Sequence, residues 1–280
     1  MNDDDFTLQY IVASSLYGTL PLSEILPEIA RTQSEHIDIW PRVHGDQREQ
    51  VEAMGHDAFA DLLQTHGVRL GASTRFDLGP FELQQEMAFA ETYGAALLVC
   101  GSKGPKGLQG DDLRRAVEDF AETLRPHIDA AAEYGLTIAI ENHGEALIET
   151  PDSMRWLIEF TRSPHLGIAL APYHLPDDAH LVAQLIEDLG EGLALFYAWQ
   201  HGMGCHEKLP KEQELLQLPG RGTLDFRLPL AALKKIAYRG WTEIFMHPVP
   251  RGIPILETSG DVTAEIERAR VYLDDLVQDL

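Results

Sequence analysis

The stretch Leu136-Thr137-Ile138-Ala139-Ile140-Glu141-Asn142-His143 decides how the rest of the chain is read. Its first five residues are apolar or β-branched and follow Gly135, where a long helical pattern ends, so they read as a strand buried on both faces. A carboxylate and a histidine come next. Glu141 and His143 share parity and point to the same side of that strand. In a barrel of parallel strands the polar residues at C-terminal strand ends line the active centre, so a charge in this place suggests a site. The alternative is structural: Glu141 caps the following helix or pairs with a loop arginine.

Outward from this strand the chain alternates. Strand-like runs recur at Leu8–Ser14, His36–Trp40, Val68–Ser73, Ala96–Cys100, Leu136–Ile140, Leu166–Leu170, Leu193–Trp199 and Thr242–Met246. Helical patterns separate them at Ser23–Thr32, His56–Thr65, Phe81–Tyr93, Asp111–Tyr134, Pro151–Arg162, Ala179–Leu189 and Leu228–Tyr238, and a last one spans Thr263–Leu280. Strands alternating with helices build a parallel sheet from right-handed crossovers, and eight such units favour closure. The expected fold is α/β, a single-domain (β/α)8 TIM barrel over residues 1–280. That length suits a fold of typically about 250 residues. The longest interruption, Gly202–Gly222 after the seventh strand, reads as a surface excursion, a lid or a subunit contact.

Composition narrows the function. The formal charge of −23 would repel polyanions, so neither nucleic acid nor an anionic membrane is an expected partner. An anionic substrate would need locally concentrated cations. Cys100 and Cys205 belong to no CxxC pair, which leaves no disulfide framework or zinc ribbon. Met1-Asn2-Asp3-Asp4-Asp5 lacks the basic and apolar regions of a signal peptide, and no run of 18 apolar residues occurs, so the default expectation is a cytoplasmic enzyme.

Two segments carry a family resemblance. Leu218-Pro219-Gly220-Arg221-Gly222-Thr223-Leu224-Asp225-Phe226, followed by Ala231–Trp241 and a strand, resembles the signature before barrel strand eight of the xylose isomerase-like sugar phosphate isomerase/epimerase superfamily. Ile138–His143 is similar to its strand-five motif. The resemblance implies a divalent ion held by a glutamate on strand five, an aspartate on strand six, a histidine on strand seven and a glutamate on strand eight. Glu141 matches the first position. On strand six Ala171 replaces the carboxylate and His174 remains; on strand seven the position falls on Gln200 or His201; on strand eight His247 stands where the glutamate would be.

The expected metal set is therefore Glu141, His174, His201 and His247. Exchanging carboxylates for imidazoles turns preference from Mg towards Mn, Fe, Co, Ni or Zn. A metal-free polar pocket is the alternative. The resemblance implies a metal-dependent sugar isomerase or epimerase acting on a ketose, polyol or keto-sugar derivative by proton abstraction α to a carbonyl, with Glu141 and His247 as acid/base groups. A lyase or dehydratase on a keto-sugar or keto-glycoside, and a non-catalytic sugar-binding accessory subunit, are the other readings. His143, Gln200, Trp40, Trp199, Arg75 and Arg251 are candidate substrate contacts, the arginines for an anionic group. Gly101–Gly107 lacks the spacing of a phosphate loop. Homo-oligomers are in keeping with the resemblance.

Overall fold

The computed structural model describes residues 6–201 and 207–280. Eight strands lie where the alternation expects them: β1 Gln9–Ala13, β2 His36–Ile39, β3 Arg69–Thr74, β4 Leu97–Gly101, β5 Thr137–Glu141, β6 Leu166–Leu170, β7 Leu193–Ala198 and β8 Trp241–Ile244. Each pairs in parallel with the next, and β8 closes onto β1 through the register Ile11↔Glu243. The outcome is a closed (β/α)8 barrel. Strand β6 is buried along its whole length, as a strand covered by helices outside and side chains inside must be.

The helices are α1 Leu22–Arg31, α2 Gln47–Met54, α3 His56–His66, α4 Gln84–Thr92, α5 Gly110–Glu133, α6 Pro151–Thr161, α7 Ala179–Leu189, α8 Lys211–Glu214, α9 Arg227–Lys235 and α10 Ser259–Gln278. Their ends carry chemical stops. Thr150 accepts a hydrogen bond from the Ser153 amide at 3.2 Å, and Pro151 opens α6. Asp178 accepts from the amides of His180 and Leu181 at the start of α7. Gly135, at φ +67°, makes the left-handed turn that feeds α5 into β5. Among the described residues no helix is long and apolar enough to cross a membrane.

Helix α2 was not expected. Its apolar face is little more than Val51, and the other buried positions are Gln47 and Arg48, which polar partners satisfy. The interruption after β7 is partly helical, with α8 and a 3-10 turn at Leu215–Gln217, and residues 202–206 lie outside the described part. Cys100 is a free, buried thiol; Cys205 is outside the described residues.

Candidate active site

Parity along four strands builds the centre of the barrel. On β2 and beyond, Asp38 and Trp40 follow one another at two-residue spacing; β7 gives Tyr197 and Trp199, β8 gives Glu243, Phe245 and His247, and β5 gives Glu141 and His143. The rows sort into layers. Trp40, Phe245 and Trp199 form an aromatic floor, with ring centroids 5.0 Å apart for Trp40–Phe245 and 5.1 Å for Trp199–Phe245. Asp38, Glu243 and Tyr197 lie one strand step before it and are fully buried.

Among the described residues no Lys or Arg side chain pairs with the carboxyls of this inner layer. Asp38 Oδ2 accepts a 2.6 Å hydrogen bond from Thr74 Oγ1. Asp38 Oδ1, both Glu243 oxygens, the Tyr197 hydroxyl and Trp40 Nε1 are buried without a hydrogen bond of good geometry among the described residues. Burial, above all, pushes Asp38 up to about 7 and Glu243 well above the carboxylate range, and their mutual repulsion and the charge of Glu141 add to the rise of Glu243. Burial likewise lifts Glu141 to about 7, opposed by the nearby His143 and by Tyr197. Three such groups cannot all be ionised at neutral pH, so the layer stores protons.

Glu141 is 3% exposed at the end of β5. His174 Nε2 stands 3.6 Å from its Oε1, and the His143 ring lies 4.2 Å from the His174 ring, centroid to centroid. Asn142 fixes this corner: its side chain donates to the Ala171 carbonyl at 3.1 Å and accepts from the Ala171 amide at 2.7 Å. That clamp sets the 3-10 turn Pro172–His174, which carries the imidazole back to Glu141. His143 is itself exposed, its Nδ1 bonded to the Gly144 carbonyl at 2.8 Å.

A second imidazole pair forms across the mouth. His247 stacks on His44 at 4.6 Å and meets Trp199 edge-on at 5.3 Å. Burial first, then the positive charge of Arg251, lowers His44 to about 4 and His247 well below its usual value, so both rings are neutral at pH 7. His44 lies in a loop that sequence reasoning passed over.

The remaining expected contacts have other surroundings. Trp40 and Trp199 are 1% exposed and part of the floor; Tyr173 covers one face of Trp199 at 4.2 Å. The Gln200 amide donates to the Leu218 carbonyl and accepts from the Leu224 amide, holding the loop before α9. Arg75 binds Glu86, which also takes Arg48, and Asp77. Arg251 donates to the Pro248 carbonyl at 3.0 Å and has no carboxylate partner among the described residues.

The four expected metal ligands fall in three places. Glu141 and His174 meet; His247 is engaged with His44; His201 is exposed and stacks on Tyr173 at 5.4 Å, a ring that the sequence reading did not place between them. Among the described residues no group of three or more His, Cys, Asp or Glu side chains could hold an ion. Among the described residues the four expected donors do not converge on one ion. An open cavity of about 880 Å³ lies at the opposite end of the barrel around Gln9, His36 and Trp241. The mouth at the C-terminal strand ends has a smaller recess of about 350 Å³ beside His143, Phe76 and Lys103. The titratable cluster and the strand ends favour the mouth for chemistry.

Solved structures share this architecture throughout. An IolI protein with a bound zinc atom superposes with a TM-score of 0.75 at 16% identity, covering 97% of this chain and 99% of its own. An L-ribulose 3-epimerase gives 0.72 at 16% identity, covering 98% and 95%. The probable 3-DHS dehydratase AsbF of Bacillus anthracis gives 0.69 at 12% identity, covering 93% and 98%. At these identities the likeness shows the fold alone. No curated protein matches the sequence. A family model does, over residues 35–266; with its closed barrel and that match across most of its length, the chain belongs to the xylose isomerase-like TIM-barrel family.

Proposed function

We propose that the chain is an enzyme that removes a proton α to the carbonyl of a ketose, polyol or keto-sugar derivative, with Glu141 as the base and an isomer or epimer as the product. The observation that carries this is one carboxyl, buried at a strand end of the mouth, with a proton affinity near neutrality and an imidazole 3.6 Å away. A base poised close to the working pH gives up and takes protons with the least mismatch.

Glu141 as carboxylate takes the α-proton; the C–H electron pair forms the enediol double bond and negative charge gathers on the carbonyl oxygen. The neutral imidazole of His247 donates an N–H bond to that oxygen. Glu141, now a carboxylic acid, returns its proton to the neighbouring carbon for an isomer, while the proton of the adjacent hydroxyl passes to the former carbonyl oxygen. For an epimer, Glu141 releases its proton to solvent, and the opposite face is protonated through the His247 ring, which gives up one N–H proton as its second nitrogen takes another from water. His174 orients the carboxylate, and the aromatic floor keeps water from beneath it. The family fold also suggests a divalent ion as an electrophile, but the expected donors do not meet at one point among the described residues, and no step depends on it.

A second reading, a lyase or dehydratase, is favoured by the burial of Glu141 at the strand end beside His174: Glu141 would pass its proton to a departing hydroxyl. Both readings share the first step. Incubation of 2-ketoses in D2O is expected to give α-deuterium exchange that falls by at least about 10²-fold in Glu141→Gln, the range of a lost general base. Exchange that survives the substitution would remove Glu141 from the chemistry.

A further inference from the structure

Of the two arginines near the strand ends, only one has charge to spare. Arg75 is neutralised by Glu86 and Asp77, whereas Arg251 is half-buried, donates only to a backbone carbonyl and meets no carboxylate among the described residues. Its field reaches both His44 and His247, and through the ring contacts the same space borders Trp40 and Trp199. We propose that Arg251 takes a substrate carboxylate, making the natural substrate class a keto-acid sugar rather than a neutral ketose. This deepens, and rests on, the proton-abstraction reading.

The loop that holds Arg251 is fixed in advance. The Ile255 amide donates to the Leu16 carbonyl at 2.9 Å, and Pro254 bridges Tyr17. Gly18, at φ +59°, lies against this loop so closely that a Cβ there would stand 2.5 Å from Pro254 N. A guanidinium on a rigid loop loses little entropy on binding, and its planar fork matches a carboxylate with two parallel hydrogen bonds. The rings beside it are uncharged. One guanidinium therefore faces this side of the mouth, while Lys103 and Lys106 line the recess on the side of His143.

That count separates carboxylate from phosphate. A phosphomonoester carries nearly two negative charges at neutral pH, one more than Arg251 balances, and the second would lie against neutral buried rings. A carboxylate matches the guanidinium one to one. It also explains how a chain of charge −23 can accept an anion: screening confines the global field to about 8 Å at physiological salt, and within that range Arg251 acts on the mouth.

Three probes differing only at C1 test this: D-fructose, 2-keto-D-gluconate and D-fructose 1-phosphate, titrated calorimetrically into the wild type, Arg251→Met, Arg251→Lys and Glu141→Gln. The keto-acid is expected to bind wild type at least about tenfold more tightly than D-fructose, to lose that advantage in Arg251→Met and to keep part of it in Arg251→Lys. Binding to Glu141→Gln should be retained, which separates this assignment from the identity of the base. Equal binding of D-fructose, tighter binding of the 1-phosphate, no saturable binding of the keto-acid at about 10 mM, or an Arg251→Met variant with unchanged keto-acid affinity each overturns it. If Arg251→Met does not fold, the wild-type ranking of the three probes and the partial loss in Arg251→Lys decide.

Discussion

Glu141 can act as a base only when ionised, and burial places that ionisation at about pH 7. Turnover should therefore rise with pH through neutrality and level above it, while His44 and His247, already neutral there, add no falling limb in that range. A kcat/KM profile that is flat between about pH 6 and 8 would count against this role. The residue was legible because a charge ending an apolar strand is anomalous. Asp38 in His36-Ile37-Asp38-Ile39-Trp40 and Glu243 in Trp241-Thr242-Glu243-Ile244-Phe245 carry the same anomaly. They escaped notice because the resemblance directed attention to the last residue of each strand, and these sit one inward step earlier. His201 illustrates the reverse: its position at a strand end was legible, but the stacking of its ring on Tyr173 is a tertiary event with no local sequence signal.

At the scale of elements, the excursion after β7 does what neither its charge nor its proline content announces. Gln217, fully buried, accepts from Trp199 Nε1 at 3.0 Å and from the His247 amide at 3.2 Å, and donates to the carbonyls of His247 and Glu214. One side chain thus ties the floor, the mouth and α8 together. Gln217→Ala would strand several buried polar groups, each costing about 1–3 kcal/mol when left unsatisfied, so urea unfolding should show a loss of at least about 2 kcal/mol, with a changed near-ultraviolet signal from Trp199. A loss below about 0.5 kcal/mol would mean water or a rearranged loop replaces it. Sequence periodicity could not show this, because a glutamine in a loop carries no pattern. The same blindness hid α2, whose buried Arg48 is held by Glu86 rather than by an apolar stripe. Where elements are amphipathic, as in α7 with Val182, Leu185, Ile186 and Leu189 buried, the expected span and the observed one coincide.

Over the whole molecule, the eightfold alternation was enough to give the barrel, because each crossover is local and closure follows from their number. What closure then creates, a layer of buried carboxyls with no Lys or Arg partner among the described residues, makes the stability of the entire fold depend on pH. A group that holds its proton more tightly folded than unfolded stabilises the fold below its unfolded value and loses that contribution as pH rises through its folded value. Asp38 and Glu141 go from about 4 when unfolded to about 7 when folded, and Glu243 is raised further. His44 and His247 act in the opposite sense: their folded values lie below the ordinary value of about 6.5, so their contribution is present above it and is lost as pH falls. Between about pH 4 and 6.5 the two sets oppose each other. Above that window the imidazoles are neutral in both states and only the carboxyls still titrate, so stability must fall. Each group contributes up to about 1.4 kcal/mol per pH unit, which puts the expected slope on the order of 2 kcal/mol per unit. Urea unfolding at about pH 6.5, 7.5 and 8.5 measures it, and Glu243→Gln, which removes the most strongly raised proton, should make the decline shallower. A stability that is level or rising over this range would mean that the carboxyls of the inner layer are ionised and matched by a cation after all.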